Sequence, residues 1–292
     1  MDAVLHLTYK KGNTERLEVV HFGLYYKREG MFKNKVVWIT GASSGLGKYM
    51  AYEFALHGAL LALSARREDK LEEVKKKVEN LGGTGYIVLC DVMEEEQIRA
   101  AVEQIVDKFG KLDVVVANAG FGVYGKIEEL DAQAWSRQMQ VNVTGLALTA
   151  KWALPHVKET KGRLVLIGSV AAYLPSPQTG AYGASKAAVR SIGQTLQVEL
   201  KGTGVSCTVI HPGFVDSDIA RVDNSGILHE DRPDPRPKNL MWSTDKAAKV
   251  MVKAIHERKR EYVFTGHGKI LSFIGQHTPA MARILLGKLN KK

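Results

Sequence analysis

The sequence predicts an α/β fold, in which a doubly wound parallel sheet carries helices on both faces. From about Lys35 to His211, short apolar runs alternate with longer segments of helical composition. The short runs are almost continuously apolar, as expected for strands whose two faces are both covered. Strands that alternate with helices form βαβ units and a parallel sheet. We therefore expect a Rossmann-type single domain with a small helical extension at its C-terminal end.

Each element is predicted from its own local pattern. The expected strands are 36–40, 60–64, 86–90, 112–117, 163–167, 206–211 and 262–264, and the expected helices are 48–57, 69–81, 94–109, 144–157, 185–200 and 244–257. Gly58, Gly82 and Gly110 mark helix ends, where glycine is favoured. Residues 213–242 are rich in Asp, Gly and Pro, which predicts a long loop that serves as a substrate lid. Apolar residues at helical intervals predict a helical tail over 265–292.

The first thirty residues differ from the rest of the chain. Apolar residues alternate over 5–9 and resume at Leu17 after a polar turn. This pattern suits either a small β-hairpin or a poorly ordered extension. The α/β domain itself is expected to cover residues 31–292.

Composition favours a globular protein with an ordinary surface. The formal net charge is +10, but Lys and Arg are spread along the chain in short runs. No nucleic-acid-binding module accompanies them, so we expect no nucleic-acid partner. Cys90 and Cys207 lie in apolar runs, lack metal-ligand spacing and are expected to be buried free thiols, and we expect no metal site. The sequence has neither an apolar run of the ~18–20 residues that a membrane helix needs nor a signal-peptide pattern, so a cytoplasmic location is expected.

A glycine-rich segment, residues 40–47, follows the first strand and opens the first helix. Glycines there allow a tight turn and a close approach of backbone amides to a pyrophosphate at the positive end of a helix. A strand before the segment and a helix after it form the context that distinguishes a dinucleotide site from a simple turn. The candidate cofactor-binding residues in this segment are Gly41, Ser43, Ser44, Gly45, Leu46 and Gly47.

The spacing Gly-x-x-x-Gly-x-Gly, followed downstream by Tyr-x-x-x-Lys at Tyr182 and Lys186, resembles the short-chain dehydrogenase/reductase family. The resemblance runs from about Lys35 to the end of the chain and is to the single-domain type of roughly 250 residues. It implies an oxidoreductase that forms a homodimer or a homotetramer. It also implies further cofactor-binding residues, namely Asp91, Val92, Asn118, Ala119, Gly120, Pro212, Gly213, Val215 and Ser217. Ala117 stands where the family usually has the first Asn of an Asn-Asn-Ala-Gly element.

The end of the second strand predicts which nicotinamide cofactor is bound. NAD enzymes place a carboxylate there, whereas an Arg accommodates the 2′-phosphate of NADP. This chain has Ala65 followed by Arg66 and Arg67. A guanidinium can make forked, charge-assisted bonds to phosphate. The sequence therefore predicts NADP (NADPH), bound through Arg66 with help from Arg67 and Ser43.

The candidate catalytic residues are Asn142, Ser169, Tyr182 and Lys186. Tyr182 and Lys186 are four residues apart and share one helix face. Tyrosine titrates near ~10, and a nearby cation lowers that pKa, which suits the phenol to acid/base work. The resemblance implies that Ser169 binds the substrate oxygen and Lys186 also holds the nicotinamide ribose. It further implies that Asn142 positions a water that links Lys186 to solvent.

The substrate is expected to be a carbonyl compound or alcohol, and the enzyme a carbonyl reductase. Apolar residues in the segments expected to wall the pocket favour an apolar or lipid-like molecule: Phe121, Tyr173, Leu174, Ile219, Leu228, Met241 and Trp242. The basic, amphipathic tail suits either peripheral membrane contact or packing on protein. A non-catalytic NADP(H)-binding sensor or interaction protein is the alternative function, and the complete set of four catalytic residues favours the enzyme.

Overall fold

The computed structural model describes residues 5–11, 14–20, 30–174, 176–229 and 231–280. Strands β1 (Leu5–Lys11) and β2 (Thr14–Val20) pair antiparallel, so the described part of the first thirty residues forms a hairpin. The end of the expected helical tail, 281–292, lies outside the described residues. Within the described ranges, no helix combines the length and the hydropathy needed to cross a membrane.

A seven-stranded parallel sheet forms the centre of the molecule. Its strands are β3 (Val36–Thr40), β4 (Leu60–Ser64), β5 (Thr84–Ile87), β6 (Val114–Ala117), β7 (Arg163–Ile167), β8 (Ser206–His211) and β9 (Glu261–Val263). Their spatial order is β5-β4-β3-β6-β7-β8-β9. The chain therefore builds outward from β3 to one edge and then returns to β6, beside β3, to build the other half. This confirms the predicted doubly wound fold.

Eight helices accompany the sheet in the described part of the chain. They are α1 (Gly45–Leu56), α2 (Glu68–Asn80), α3 (Glu95–Phe109), α4 (Ala132–Met139), α5 (Leu146–Glu159), α6 (Gly180–Glu199), α7 (Thr244–His256) and α8 (Gly266–His277). One apolar layer contains Phe54 of α1 and Met251 of α7. A second contains Ile105 of α3, Ala153 of α5 and Val189 of α6. The sheet is thus covered on both faces, which explains its continuously apolar strands.

The structure differs from the predicted elements mainly around the candidate site. Helix α4 was not predicted, and α5 starts at Leu146 because a π-helical turn, Gln140–Gly145, precedes it. Helix α6 starts at Gly180 rather than at residue 185, which places Tyr182 in its first turn. Strand β5 ends at Ile87, although the amides of Val88 and Cys90 still donate to carbonyls beside β4, so this difference concerns a boundary.

The long segment after β8 is more ordered than a plain loop. It contains two short 3-10 turns, Asp218–Ala220 and Lys238–Leu240, and Val222 forms an antiparallel bridge with Leu228. Val215 forms a parallel bridge with Trp242, so both ends of the segment are tied together.

Candidate active site

Backbone geometry explains the glycines of the loop between β3 and α1. Gly41 has a positive φ of 66°, and a Cβ there would lie 2.8 Å from Ala119 Cα. A Cβ on Gly47 would lie 2.4 Å from the carbonyl oxygen of Gly41. Any side chain at these positions would push the loop away from the end of β6. Without these side chains, the N-terminal turn of α1 lies close to the backbone of the glycine-rich loop and the end of β6. This turn faces a cleft of about 740 Å³.

Thr40 and Asn118 fix this loop against the end of β6. The Thr40 hydroxyl accepts hydrogen bonds from the amides of Asn118 and Ala119, both at 3.1 Å. Asn118 Nδ2 donates to the carbonyls of Thr40 at 2.9 Å and Gly41 at 3.2 Å. Sequence reasoning found Asn118 but missed Thr40, whose signal was its position directly before Gly41. The two strand ends at the switch point of the sheet are thus joined by four hydrogen bonds.

Basic side chains lie at the end of β4, on the rim of the same cleft. Arg67 Nη2 donates to Ser43 Oγ at 3.2 Å, and Arg66 Nη1 lies 3.8 Å from Asp91 Oδ2. The Arg66 side chain is 63% exposed, so much of its guanidinium surface is open to a ligand. Ala65 is buried and places no charge beside them. This corner of the cleft can therefore receive a phosphate dianion.

Ser169 and Tyr182 come together at the opposite end of the cleft, where the Ser169 hydroxyl lies close enough to influence the Tyr182 phenol. Burial raises the pKa of Tyr182 above its usual value, and the Ser169 hydroxyl and the Arg236 charge oppose that rise. Lys186 Nζ donates to the carbonyl of Ile167 at 2.8 Å and lies 5.8 Å from the centre of the Tyr182 ring. The expected net lowering of the Tyr182 pKa by Lys186 is wrong for this structure, because burial outweighs the nearby charges.

Burial acts on Lys186 as well, and lowers its pKa to about 8. The lysine and the tyrosine are thus both shifted toward their neutral forms by the same dry environment.

Asn142 lies in the π-helical turn and is almost fully buried. Its Oδ1 accepts from the amide of Phe121 at 3.1 Å, while its Nδ2 donates to the carbonyl of Phe121 at 2.9 Å and to Ser185 Oγ at 3.1 Å. Ser185 directly precedes Lys186. Asn142 therefore connects the loop after β6 to the helix that carries Tyr182 and Lys186, and π-helical turns often occur at such sites.

Two residues near Tyr182 lie in segments that were expected to wall the pocket, 121–124 and 217–242, but sequence reasoning gave them no role of their own. The ring of Tyr124 lies 5.9 Å from that of Tyr182, and burial raises the Tyr124 pKa. The guanidinium of Arg236 donates to Asp234, to the carbonyl of Val215 at 3.0 Å and to the carbonyl of Ser217 at 2.9 Å. Arg236 lies in a Pro-rich stretch whose position in space no local pattern reveals.

The predicted apolar wall is only partly correct. Phe121, Ile219 and Leu228 line the cleft. Tyr173 and Leu174 instead line a neighbouring groove, and the Tyr173 hydroxyl donates to Glu261 at 2.7 Å. Met241 and Trp242 lie outside the cleft, and the Trp242 ring packs against Phe264 with 5.5 Å between centres. The loop conformation decides these positions, and composition alone cannot supply it.

Proteins with similar sequences include dehydrogenases. Residues 35–227 match the family model described as short chain dehydrogenase. The chain is 41% identical over 189 residues to 11-beta-hydroxysteroid dehydrogenase A of Arachis hypogaea, which is 64% of this chain and 54% of that protein. It is 36% identical over 207 residues to 11-beta-hydroxysteroid dehydrogenase of Pinus massoniana, which is 69% of this chain and 58% of that protein. The chain therefore spans little more than half the length of these relatives.

Solved structures with the same architecture also belong to this class. An alcohol dehydrogenase of Thermococcus sibiricus, complexed with 5-hydroxy-NADP, has a TM-score of 0.70 at 28% identity, covering 80% of this chain and 97% of that one. A short-chain dehydrogenase/reductase of Burkholderia phymatum, in complex with NAD, has a TM-score of 0.71 at 29% identity, covering 79% and 89%. With the matched motifs and the doubly wound sheet, these likenesses establish that the chain belongs to the short-chain dehydrogenase/reductase family.

Proposed function

We propose that this chain is an NADP(H)-dependent oxidoreductase that interconverts a ketone or aldehyde and the corresponding alcohol, with Tyr182 as its acid/base. The observation that carries the proposal is that Ser169, Tyr182 and Lys186 lie together in the cleft that the glycine-rich loop borders. Two neighbouring hydroxyl groups can hold a single substrate oxygen, and Lys186 lies beside them.

The residues of the cleft fit a nicotinamide dinucleotide. The glycine-rich loop offers backbone amides at the start of α1, where a pyrophosphate is stabilised. Arg66 and Arg67 suit the 2′-phosphate of NADP, and the adenine would lie by Asp91 and Val92. The nicotinamide would lie beside a further group of residues that line the cleft, namely Asn118, Ala119, Gly120, Pro212, Gly213, Val215 and Ser217. When bound, the nicotinamide supplies or accepts the hydride.

Ser169 and Tyr182 perform the polar part of the reaction. In reduction, both hydroxyls donate to the carbonyl oxygen and stabilise its developing negative charge, and Tyr182 then transfers its proton to it. A raised pKa keeps the Tyr182 phenol protonated at neutral pH, which suits it to act as the acid. Lys186, charged below pH about 8, would hold the nicotinamide ribose, and Asn142 would position the water that connects Lys186 to solvent.

Apolar side chains form much of the proposed substrate side of the cleft, together with polar residues such as Arg137 and Asp218. Its lining includes Phe121, Val141, Ile219, Val222, Ile227 and Leu228. Apolar walls with a few polar groups at the reacting atom select a bulky, apolar molecule by its shape. We therefore propose a lipid-like ketone or alcohol, and a steroid skeleton is the first choice, because the similar plant proteins are called hydroxysteroid dehydrogenases. A cytoplasmic homodimer or homotetramer remains the expectation from the family resemblance, and light scattering measures its size.

Titration of NADPH and NADH tests the cofactor assignment. We expect NADPH to bind more tightly to the wild type, and Arg66→Ala and Arg67→Ala to weaken NADPH binding about tenfold or more while NADH binding stays the same, because each removes a charge-assisted bond to the 2′-phosphate. Arg99→Ala on α3, whose guanidinium binds Glu96 and Glu103, is the control.

Equal affinity for NADH would contradict the NADP assignment, and no binding of either nucleotide would contradict the proposed function. Oxidation of NADPH in the presence of aliphatic, aromatic and steroid ketones then tests catalysis. Binding without turnover of any of them would favour the sensor function.

A further inference from the structure

A buried histidine with no role in the proposed reaction, His211, contacts the backbone carbonyl of the catalytic serine, Ser169. His211 ends β8, directly before Pro212, and its side chain is fully buried. Nδ1 lies 3.1 Å from the carbonyl oxygen of Ser169, and Nε2 lies 3.1 Å from Glu261 Oε1. The two ring nitrogens therefore bridge the serine that binds the substrate oxygen and a carboxylate on the edge strand β9.

Glu261 connects this histidine to the catalytic helix. Its Oε1 accepts from Arg190 Nε at 2.6 Å and from the Tyr173 hydroxyl at 2.7 Å. Hydrogen bonds from His211, Arg190 and Tyr173 lower the pKa of Glu261 to about 2, so the carboxylate stays charged. Arg190 follows Lys186 by four residues on α6 and Tyr182 by eight, so the three side chains share one face of the helix.

These contacts close a ring around the reacting hydroxyls. The ring passes from Tyr182 along α6 to Arg190, then through Glu261 and His211 to the backbone of Ser169, whose hydroxyl lies beside the Tyr182 phenol. We propose that His211 and Glu261 are positioning residues that fix the separation of the Ser169 and Tyr182 hydroxyls. This inference rests on the proposed function, since it concerns the geometry of that reaction.

The local backbone makes the serine sensitive to the histidine. A Cβ on Gly168 would lie 2.6 Å from His211 Nδ1, so the approach requires glycine there. The amide of Gly168 donates to Ile210 at 2.7 Å, and that of Val170 donates to Pro212 at 3.0 Å. The segment around Ser169 thus follows any movement of 210–212, and a small misplacement of a catalytic group can reduce a rate by up to ~100-fold.

The hydrogen-bonding chemistry of His211 also decides which side chains can replace it. A carbonyl oxygen and a carboxylate oxygen only accept hydrogen bonds, so His211 bonds to both only when both of its nitrogens carry hydrogen. Asparagine at 211 can still donate one bond toward Ser169, whereas leucine fills the space and donates none. A positioning role therefore predicts that asparagine restores activity that leucine removes. A role limited to packing predicts no such difference in the folded enzyme.

The test compares His211→Leu, His211→Asn and Glu261→Gln with the control Tyr262→Phe, which changes the residue next to Glu261 outside the ring. The readouts are kcat and KM for the ketone that the wild type reduces fastest, the NADPH dissociation constant and thermal unfolding. We expect His211→Leu to lower kcat about 10- to 100-fold with the NADPH constant within about twofold. We expect His211→Asn to recover most of that loss, Glu261→Gln to lie between them, and Tyr262→Phe to match the wild type.

A kcat for folded His211→Leu within twofold of the wild type would overturn the inference, as would an equal loss in His211→Asn. If His211→Leu does not fold, Glu261→Gln decides in the same way, because the Glu261 side chain is 30% exposed and tolerates replacement. If the wild type neither binds NADPH nor reduces a ketone, the proposed function fails separately. Hydrogen exchange of the peptide covering 168–172 then tests the ring: faster exchange in His211→Leu supports it, and unchanged exchange overturns it.

Discussion

At the scale of single residues, the site contains an ammonium group that is expensive to bury. Lys186 is buried, and its Nζ donates to a backbone carbonyl, which offers a dipole rather than a full opposite charge. An incompletely compensated buried charge destabilises the fold. The pKa of about 8 expresses this cost, since it lies below the ~10.4 of an exposed lysine. The buried Lys186 ammonium, which the proposed mechanism needs as a cation, therefore lowers the free energy of unfolding.

Replacing this lysine should stabilise the protein and abolish its activity. We expect Lys186→Met to raise the free energy of unfolding at pH 7 by about 1–3 kcal/mol without cofactor. The folded pKa is the lower one, so the unfolded chain binds more protons between pH 8 and 10, and wild-type stability rises there with pH. The difference in the free energy of unfolding between Lys186→Met and the wild type should therefore be smaller at pH 10 than at pH 7. Urea unfolding at both pH values measures this difference.

Lys253→Met, on an exposed position of α7, is the matched control and should leave the free energy of unfolding unchanged at both pH values. A variant that is less stable than the wild type at pH 7 would show that Lys186 is well compensated.

Arg236 offers a second test at this scale, because its charge lowers the pKa of Tyr182. Removal in Arg236→Leu should raise that pKa further. Reduction needs the protonated phenol, so the alkaline limb of its pH profile should move to higher pH. Oxidation needs the deprotonated form, so its acidic limb should move in the same direction. Steady-state rates in both directions across pH measure the two limbs.

Arg221→Leu, in the same loop but paired with Asp218, is the control for this change. Movement of either limb to lower pH would exclude Arg236 as the charge that acts on Tyr182.

At the scale of elements, the catalytic helix packs unusually close to the sheet. A Cβ on Gly193 of α6 would lie 2.1 Å from Val209 Cγ2 on β8. Valine is restricted at χ1, which limits how far its methyl groups can turn away from the helix. The approach of helix and strand therefore depends on the missing side chain, and Tyr182 and Lys186 are carried by the same helix.

Gly193→Ala sets two effects against each other. Alanine favours a helix by ~1 kcal/mol over glycine, whereas overpacking a core costs ~1–3 kcal/mol. Because the contact is far inside van der Waals distance, we expect net destabilisation and a lower kcat as α6 shifts. Chemical denaturation measures the first and steady-state kinetics the second. Ala188→Gly, on the same helix, is the control. Gly202→Ala is not used because Gly202 has a positive φ. An increase in the free energy of unfolding in Gly193→Ala would contradict the close packing.

The elements also show what local patterns can and cannot predict. Strands β7 and β8 were predicted with their bounds, because each contains a short run of mainly apolar and β-branched residues that follows a glycine-containing turn. Helix α4 was missed because it has only eight residues, half of them polar, and only Gln138 is buried. Its contribution to the site, the Gln138 bond to Val123, depends on a contact that no periodicity reveals.

At the scale of the whole molecule, the doubly wound order places the cleft at the carboxyl ends of the neighbouring strands β3 and β6. From these two strands the chain continues toward opposite edges of the sheet. Such crevices at the carboxyl ends of strands bind ligands in this class of sheet. The strand order and the motifs at strand ends could be predicted, since each depends on nearby residues. The positions of Arg236 and Glu261 could not, because loop folding and strand pairing bring them to the site from far along the chain.

A cleft that contacts both halves of the sheet should couple ligand binding to global stability. We expect NADPH at 100 times its dissociation constant to raise the free energy of unfolding by about 2.7 kcal/mol. The increase should vanish in Gly47→Val, whose side chain would displace the loop at Gly41. Thermal unfolding with and without NADPH measures it. An increase that persists in Gly47→Val would place the nucleotide elsewhere.

The Thr40 hydroxyl, which bonds the amides of Asn118 and Ala119, has a consequence for how such a protein can change its chemistry. These hydrogen bonds fix the floor of the cleft through contacts among β3, the end of β6 and the glycine-rich loop. Residues 218–242 take no part in these contacts, so substitutions there can reshape one wall of the cleft while its floor keeps its form. Under the proposed function, adaptation to a new substrate and retention of the cofactor therefore depend on different stretches of the chain.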